Sequence, residues 1–482
     1  MLCLYGLADA GLIGPDEPRY ADIGRAMYTS GDWVTPRLFG EPWFEKPALL
    51  YWLIASGFAI GAGDTLAPRL PIAMLGIAFL AFYFGNLRRL LGEGAAFASS
   101  VILATAVGWL GFSHAAVTDL PLTVFFSAGM LFAMPWALHG DRRWLAAAAA
   151  CFGMASLAKG LVPLVLAAPL LFFGWRRVLD WLRPAPLLAF AVVSIPWYAF
   201  CYARNGMAFV DEFFWKHHVS RFLSPDLQHV QPVWFYLPVL LGLLVPSTPL
   251  VVLLIKRDMW NDPRLRYFAA WAGFGFLFFS ASTNKLPGYL LPLMPAIAAM
   301  LGMALDRISR ARVILPCVAL LSAVYALAGG ALPAALASGI RDAGLPPLPW
   351  SWALPSIVAA GVIFWMEIKR RRFHSLTLLA LVVTLNVALL KATAIPAVDR
   401  EASSRQAWML LEDQADQVCI EQLHRAMTYG LQYYSHGRIP LCSEEARPLH
   451  LREPSRGGKA VDIVVPGAQT GQAIPPSEQV AP

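Results

Sequence analysis

Seven charged side chains stand apart in this 482-residue sequence: Asp16, Glu17 and Asp119 among the acids, and Lys46, Lys159, Arg221 and Lys285 among the cations. Each lies beside an apolar block and outside the arginine clusters that separate those blocks. A charge in or next to lipid is costly, so a group in such a place needs a reason. Acids and cations gathered on one membrane face suit a particular chemistry, in which a carboxylate takes the proton of an attacking hydroxyl and cations hold a phosphate leaving group. Plainer readings stand beside this one. Asp16 and Glu17 ahead of Pro18, and Asp119 at the head of an apolar block, suit helix N-termini. Lys159 and Lys285 suit snorkelling lysines with their stems along lipid, and Arg221 suits contact with a lipid headgroup.

The elements that must position these groups are membrane helices. The chain is 57% hydrophobic and 14% charged, with a mean hydropathy of +0.55, outside the usual range of a soluble domain of this size. Its apolar residues come in blocks of roughly 16 to 22, the length a helix needs to cross about 30 Å of hydrocarbon. Spans are expected near residues 1–13, 70–87, 96–114, 119–138, 144–158, 161–174, 185–202, 232–255, 267–281, 286–304, 313–333, 351–367 and 373–392, thirteen in all, which defines an all-α polytopic membrane protein. Every second connection carries the basic residues: Arg88 and Arg89, Arg142 and Arg143, Arg176 to Arg183, Lys256 to Arg266, Arg307 to Arg312, and Lys369 to Arg372. Those connections face the cytoplasm. The net charge of +7 is therefore a topology signal and not a nucleic-acid surface. The remaining connections face the exterior: residues 14–69, the turns at Asp119 and Lys159, 203–231, 282–285, and everything after residue 392.

Pro47 to Ala62 is apolar, but a full span there would invert every later loop, so this stretch is expected to lie in the interface. Ahead of it Glu17 is suited to cap a helix, Pro18 to its first turn and Gly31 to its end, with Tyr20, Ile23, Met27 and Tyr28 on one face. Two amphipathic helices on the outer surface result. Past residue 400 the chain turns polar, and residues 417–442 read as strand (Gln417 to Leu423), helix (Arg425 to Ser435) and strand (Arg438 to Cys442), a small exterior α/β cap. The expected division is a membrane domain over 1–397, the cap over 398–450, and a largely disordered Pro-, Gly- and Gln-rich tail over 451–482. Cys3, Cys151, Cys201 and Cys317 fall in apolar segments as packing residues, whereas Cys419 and Cys442 sit in the two cap strands, where an oxidising compartment allows a disulfide.

The run Gly14-Pro15-Asp16-Glu17-Pro18-Arg19-Tyr20-Ala21, with Gly31-Asp32-Trp33-Val34-Thr35-Pro36-Arg37 and Trp43-Phe44-Glu45-Lys46-Pro47, resembles the first exterior loop of the aminoarabinose transferase and protein O-mannosyltransferase superfamily. Thr118-Asp119 resembles that family's second acidic position. Phe214-Trp215 with His218, Arg221 and Phe222 resembles its long loop, and Lys285-Leu286-Pro287-Gly288-Tyr289 its Lys-Leu-Pro-x-Tyr element. The resemblance extends over the membrane domain and implies the GT-C fold.

It also implies a multi-pass glycosyltransferase of the bacterial inner membrane whose site faces the periplasm. A sugar would pass from a polyprenyl-phosphate donor to lipid A, another glycolipid or glycan, or a protein. Lys46, Arg221, Lys285 and the Tyr289 hydroxyl would grip the donor phosphate. Asp16, helped by Glu17 and Asp119, would deprotonate or orient the acceptor, with inversion at the anomeric carbon. No cofactor is required. In some family members an acid and a histidine of these loops hold a metal, which puts Glu45 and His218 forward as ligands of zinc or magnesium, against the plain reading of two polar interface residues. Gly288 and the short tail depart from the family pattern and leave lipid A specificity open. Two rivals remain in view. A transporter or flippase for a lipid-linked sugar would favour internal repeats and midplane charges, which are not seen. A glycan ligase or polymerase would depend on a large exterior loop, whereas here the first loop carries the densest match.

Overall fold

Asp16 and Glu17 open helix α1 (Asp16–Ser30), where their charges favour the positive helix end. Gly31 closes it: at φ 71° its N–H reaches Met27 O, a left-handed cap that glycine adopts without strain. Glu17 does not cap this helix as the sequence suggested, because Pro15 holds the cap position with no side-chain hydrogen bond. Helix α2 (Leu49–Ala59) packs on α1. Gly24 makes that approach possible, since a Cβ there would stand 2.3 Å from Ile54 Cγ2 of α2. The computed structural model describes residues 2–213, 215, 230–309, 311–338, 348–453, 462–464 and 472–473.

Among these, seven helices are long and apolar enough to cross a bilayer: Leu70–Leu91, Asp119–His139, Pro184–Asn205, Pro287–Arg307, Ile314–Pro333, Trp350–Ile368 and Arg372–Ala402. An eighth results if Val233–Leu243 and Thr248–Ile255, bent by 110°, are counted as one span. The protein is a multi-pass membrane protein, but the expected number of thirteen spans is not confirmed. Several apolar blocks are broken into pieces shorter than the bilayer requires. Residues 2–9 form turns, the block at 96–114 breaks at Ala106, whose backbone is extended between Glu93–Thr105 and Val107–Phe112, and the block at 161–174 divides into Val162–Leu166 and Pro169–Gly174.

The helices that begin at Asp119 and Pro287 have 83% and 89% of their apolar windows buried, against 22–44% for the other five. They form the centre of the bundle. Side chains at their first turns are thereby held by protein on several sides, while the other spans present their outer faces to lipid.

The helix Arg372–Ala402 runs unbroken into the cap. There Val418–Gln422 pairs in parallel with Leu449–Arg452, which pairs antiparallel with Asp462–Val464, followed by Gln472–Ala473. The segment Arg438 to Cys442 makes a single parallel bridge, Leu441 to Ile420, where a strand was expected. Short strands at Asp462–Val464 and Gln472–Ala473 lie within the stretch expected to be largely disordered; the run Val461-Asp462-Ile463-Val464-Val465 is a sequence signal for the first of them. Cys419 and Cys442 are joined by a disulfide. The cap helix Arg425–Tyr434 lies against α1: Arg25 donates to Tyr433 O at 2.9 Å, and Leu12 N–H donates to the Tyr434 hydroxyl at 2.7 Å.

Candidate active site

The charges singled out in the sequence collect, among the described residues, in two clusters. In the first, α1 presents Asp16 with its side chain 49% exposed, one carboxylate oxygen held 2.5 Å from Arg19 Nη2. Arg19 is buried, and its other terminal nitrogen lies 3.1 Å from Glu45 Oε2. Glu45 Oε1 in turn lies 3.0 Å from Lys46 Nζ. The result is one alternating chain of charges, Asp16–Arg19–Glu45–Lys46, running from solvent into the protein. The rings of Tyr20, Trp43 and Tyr429 surround the Arg19 guanidinium at 5.2, 5.4 and 5.7 Å. Burial is the largest single influence on Arg19 and works against its charge, but Glu45, Tyr20, Asp16 and Tyr51 together hold its pKa above the ordinary value.

The second cluster stands at the heads of the two central helices. Asp119 accepts from Lys159 Nζ at 2.8 Å, and the same ammonium lies 4.6 Å from the centre of the Tyr289 ring. Gly288 lets these elements meet, since a Cβ there would fall 2.9 Å from the Asp119 carboxylate and from the Phe112 ring. Lys285 is buried and donates to the main-chain oxygens of Ser282 and, at 3.1 Å, Gln231. The Tyr236 hydroxyl braces the segment, within 3.2 Å of both the N–H and the carbonyl of Leu286. Lys159, which the sequence reading left outside the phosphate-binding set, therefore shares the cluster of Asp119 and Tyr289. Arg221 and His218 lie outside the described residues.

Glu17 differs from its neighbour. The sequence put it forward as a catalytic acid, yet it is only 4% exposed and accepts four hydrogen bonds: from Arg69 Nε at 3.0 Å and Nη2 at 2.7 Å, from Ile13 N–H at 2.8 Å and from Ala116 N–H at 2.8 Å. Both of its oxygens are thus held by fixed donors. Its partner Arg69 went unnoticed in the sequence, although an arginine at the end of a span opposite to Arg88 and Arg89 was a signal for it.

Glu45 arrives at the proposed metal position with a cation beside each oxygen. Among the described residues the one group of three metal-ligating side chains is Cys419, Cys442 and His450, two of which form the disulfide. His218, put forward as the fellow ligand of Glu45, lies outside the described residues, and no step below is routed through a metal.

Fold and site together define a GT-C membrane protein, with acids and lysines at one end of a bundle of apolar helices. Within that class the chain resembles the lipid A aminoarabinose transferases. Residues 45–200 match the family model for dolichyl-phosphate-mannose-protein mannosyltransferases. An undecaprenyl phosphate-alpha-4-amino-4-deoxy-L-arabinose arabinosyl transferase of Pseudomonas paraeruginosa is 32% identical over 317 residues, covering 63% of this chain and 57% of that protein. One from Pseudomonas fluorescens is 33% identical over 329 residues, covering 64% and 54%. The chain thus spans little more than half the length of these curated relatives. Among solved structures, ArnT from Cupriavidus metallidurans bound to undecaprenyl phosphate is similar with a TM-score of 0.71 and 25% identity, over 94% of this chain and 91% of that one. The arabinosyltransferase EmbB of Mycobacterium smegmatis shares the fold at a TM-score of 0.50 and 15% identity, over 83% and 40%.

Proposed function

We propose that this protein transfers a sugar from a polyprenyl-phosphate donor to a hydroxyl or phosphate of a lipid, glycan or protein acceptor, at the periplasmic face of the inner membrane. One observation carries the reading: two carboxylates, Asp16 and Asp119, each sit beside a cationic group, and both stretches are tied to the same buried Glu17. Likeness to a fold that binds undecaprenyl phosphate supports the choice of donor.

Asp16 is the base. One of its oxygens is fixed by Arg19, and its half-exposed position leaves the other open to an acceptor hydroxyl. As the proton moves to Asp16, the acceptor oxygen attacks the anomeric carbon from the face opposite the donor phosphate. The bond from that carbon to the phosphate oxygen breaks, and its electron pair leaves with the lipid phosphate, so the configuration inverts. Lys46, Lys285, Arg221 and the Tyr289 hydroxyl stabilise this dianion, and Lys159 joins them through its place against the Tyr289 ring. Two Lys285 donors are held by carbonyls, which leaves the third N–H of its ammonium for phosphate.

The test uses purified protein in detergent, a panel of radiolabelled polyprenyl-phosphate sugars and crude membrane acceptors. Wild-type protein is expected to transfer label from one donor, and Asp16→Asn to bind that donor while losing transfer by a factor on the order of 10²–10⁴. Transfer undiminished in Asp16→Asn, or movement of intact labelled lipid across vesicles without transfer, would sink the proposal.

A further inference from the structure

Arg69 has all five guanidinium donors engaged. Nε and one Nη2 donor go to Glu17, Nη1 donates to Leu7 O at 3.1 Å and Ala10 O at 2.6 Å, and the remaining Nη2 donor goes to Gly11 O at 2.9 Å. A lysine, with three donors from one point, cannot reproduce that fork. Glu17 for its part reaches Ile13 N–H and Ala116 N–H. The pair therefore binds three stretches of chain that are far apart in sequence: residues 7–17, the head of the Leu70–Leu91 helix, and the turn at Ala116. A fourth is attached next door, where Asp399, close to the end of the long helix leading to the cap, accepts from Gly11 N–H at 2.7 Å and pairs with Arg405 at 2.8 Å.

The two acids of the site hang directly on this junction. Asp16 is the residue before Glu17, and Asp119 follows Ala116 by three residues. We infer that the Glu17–Arg69 pair is a positioning device for the reaction: it sets where Asp16 and Asp119 stand relative to one another while taking no proton itself. This inference rests on the proposed roles of those two acids. It assigns to Arg69 a part in turnover although Arg69 touches no reacting group, and it removes Glu17 from the catalytic acids.

The distinction is measurable because a base and a positioning pair respond differently to substitution. Glu17→Gln, Arg69→Lys and the double variant would be compared for turnover, for affinity toward undecaprenyl phosphate, for pH profile and for thermal stability in detergent. For a positioning pair each single variant should lose on the order of 10²-fold in kcat through misplacement of the acids, with undecaprenyl phosphate affinity held within about threefold, the pH optimum unmoved, and the double variant no worse than the poorer single one. Where Arg69→Lys does not fold, Glu17→Gln carries the test through its unmoved pH profile and retained affinity. Two results would overturn the inference: losses that multiply in the double variant, or Glu17→Gln abolishing turnover while Arg69→Lys retains it with a displaced pH profile, which would make Glu17 the base. Asp16→Asn run in parallel separates the levels, since full activity there refutes the proposed reaction, whereas an inactive Asp16→Asn beside fully active Glu17 and Arg69 variants refutes only the positioning role.

Discussion

At Gly288 a missing side chain makes room for a charge. The sequence shows this glycine as a departure from bulkier residues before the tyrosine, and the structure supplies the reason, since the Asp119 carboxylate and the Phe112 ring occupy the place of a Cβ. Gly288→Ala should push Asp119 away from Lys159 and lower transfer by roughly tenfold or more, with the fold kept; steady-state rates beside a thermal melt in detergent check this, and unchanged rates would show that the Asp119–Lys159 contact is dispensable. Asp16, Asp119 and the lysines were legible in the sequence because a charge beside lipid, outside the topology clusters, is conspicuous. Glu17 and Arg69 are 52 positions apart, and Asp119 and Lys159 are 40 apart. No local pattern records such pairings, so the sequence showed neither the Arg69 fork on Glu17 nor the contact between Asp119 and Lys159.

The cap is held both by covalent and by packing means. Its disulfide closes a loop between residues 23 apart, next to a small core of Leu411, Val418, Ile420, Leu431, Ile439 and Leu451. Cys442→Ser should cost about 2–4 kcal/mol of cap stability, read as faster hydrogen exchange in Val418–Gln422 and in the cap helix, and the reductant-treated wild type should match it. Equal exchange in the oxidised wild type and the variant would mean that the core alone suffices. The helix of this cap and its first strand were readable from pattern, as were α1 and α2. The strands at 462–464 and 472–473 are three and two residues long and exist by pairing with distant partners, so a Pro- and Gly-rich composition concealed them. The number of spans is unconfirmed for a related reason: hydropathy registers an apolar block whether or not its backbone stays helical, as the break at Ala106 illustrates.

On the scale of the whole molecule, the arginines that set the expected sidedness have, in many cases, a second duty. Arg142 and Arg183 pair with Asp180 at 2.9 and 3.4 Å, Arg264 with Asp262 at 2.8 Å, alongside Arg307, and Arg372 with the buried Glu367 at 2.9 Å. The pairs of Arg142 with Asp180, Arg307 with Asp262 and Arg372 with Glu367 join different elements at the end of the bundle away from the site, whereas Arg183 and Arg264 pair within their own turns. The helix Arg372–Ala402 has 31 residues, roughly 46 Å at 1.5 Å per residue, more than enough to carry the chain from one face to the other. A periplasm-active reporter fused after residue 400 should accordingly be active, and one fused after Arg372 silent. The opposite pattern would invert the topology and move the site to the cytoplasmic face.

The junction around Arg69 also bears on how such a chain can diverge. Of what the pair holds beyond itself, every contact is to main chain: three carbonyls, at Leu7, Ala10 and Gly11, and two N–H groups, at Ile13 and Ala116. Proline apart, which would remove the N–H at 13 or 116, main chain offers the same groups whatever side chain it bears. The junction therefore dictates residue identity chiefly at positions 17 and 69, and other substitutions at Leu7, Ala10, Ile13 or Ala116 answer to packing but not to the clamp. Homologous chains could drift apart along these stretches while keeping their two acids at the same separation.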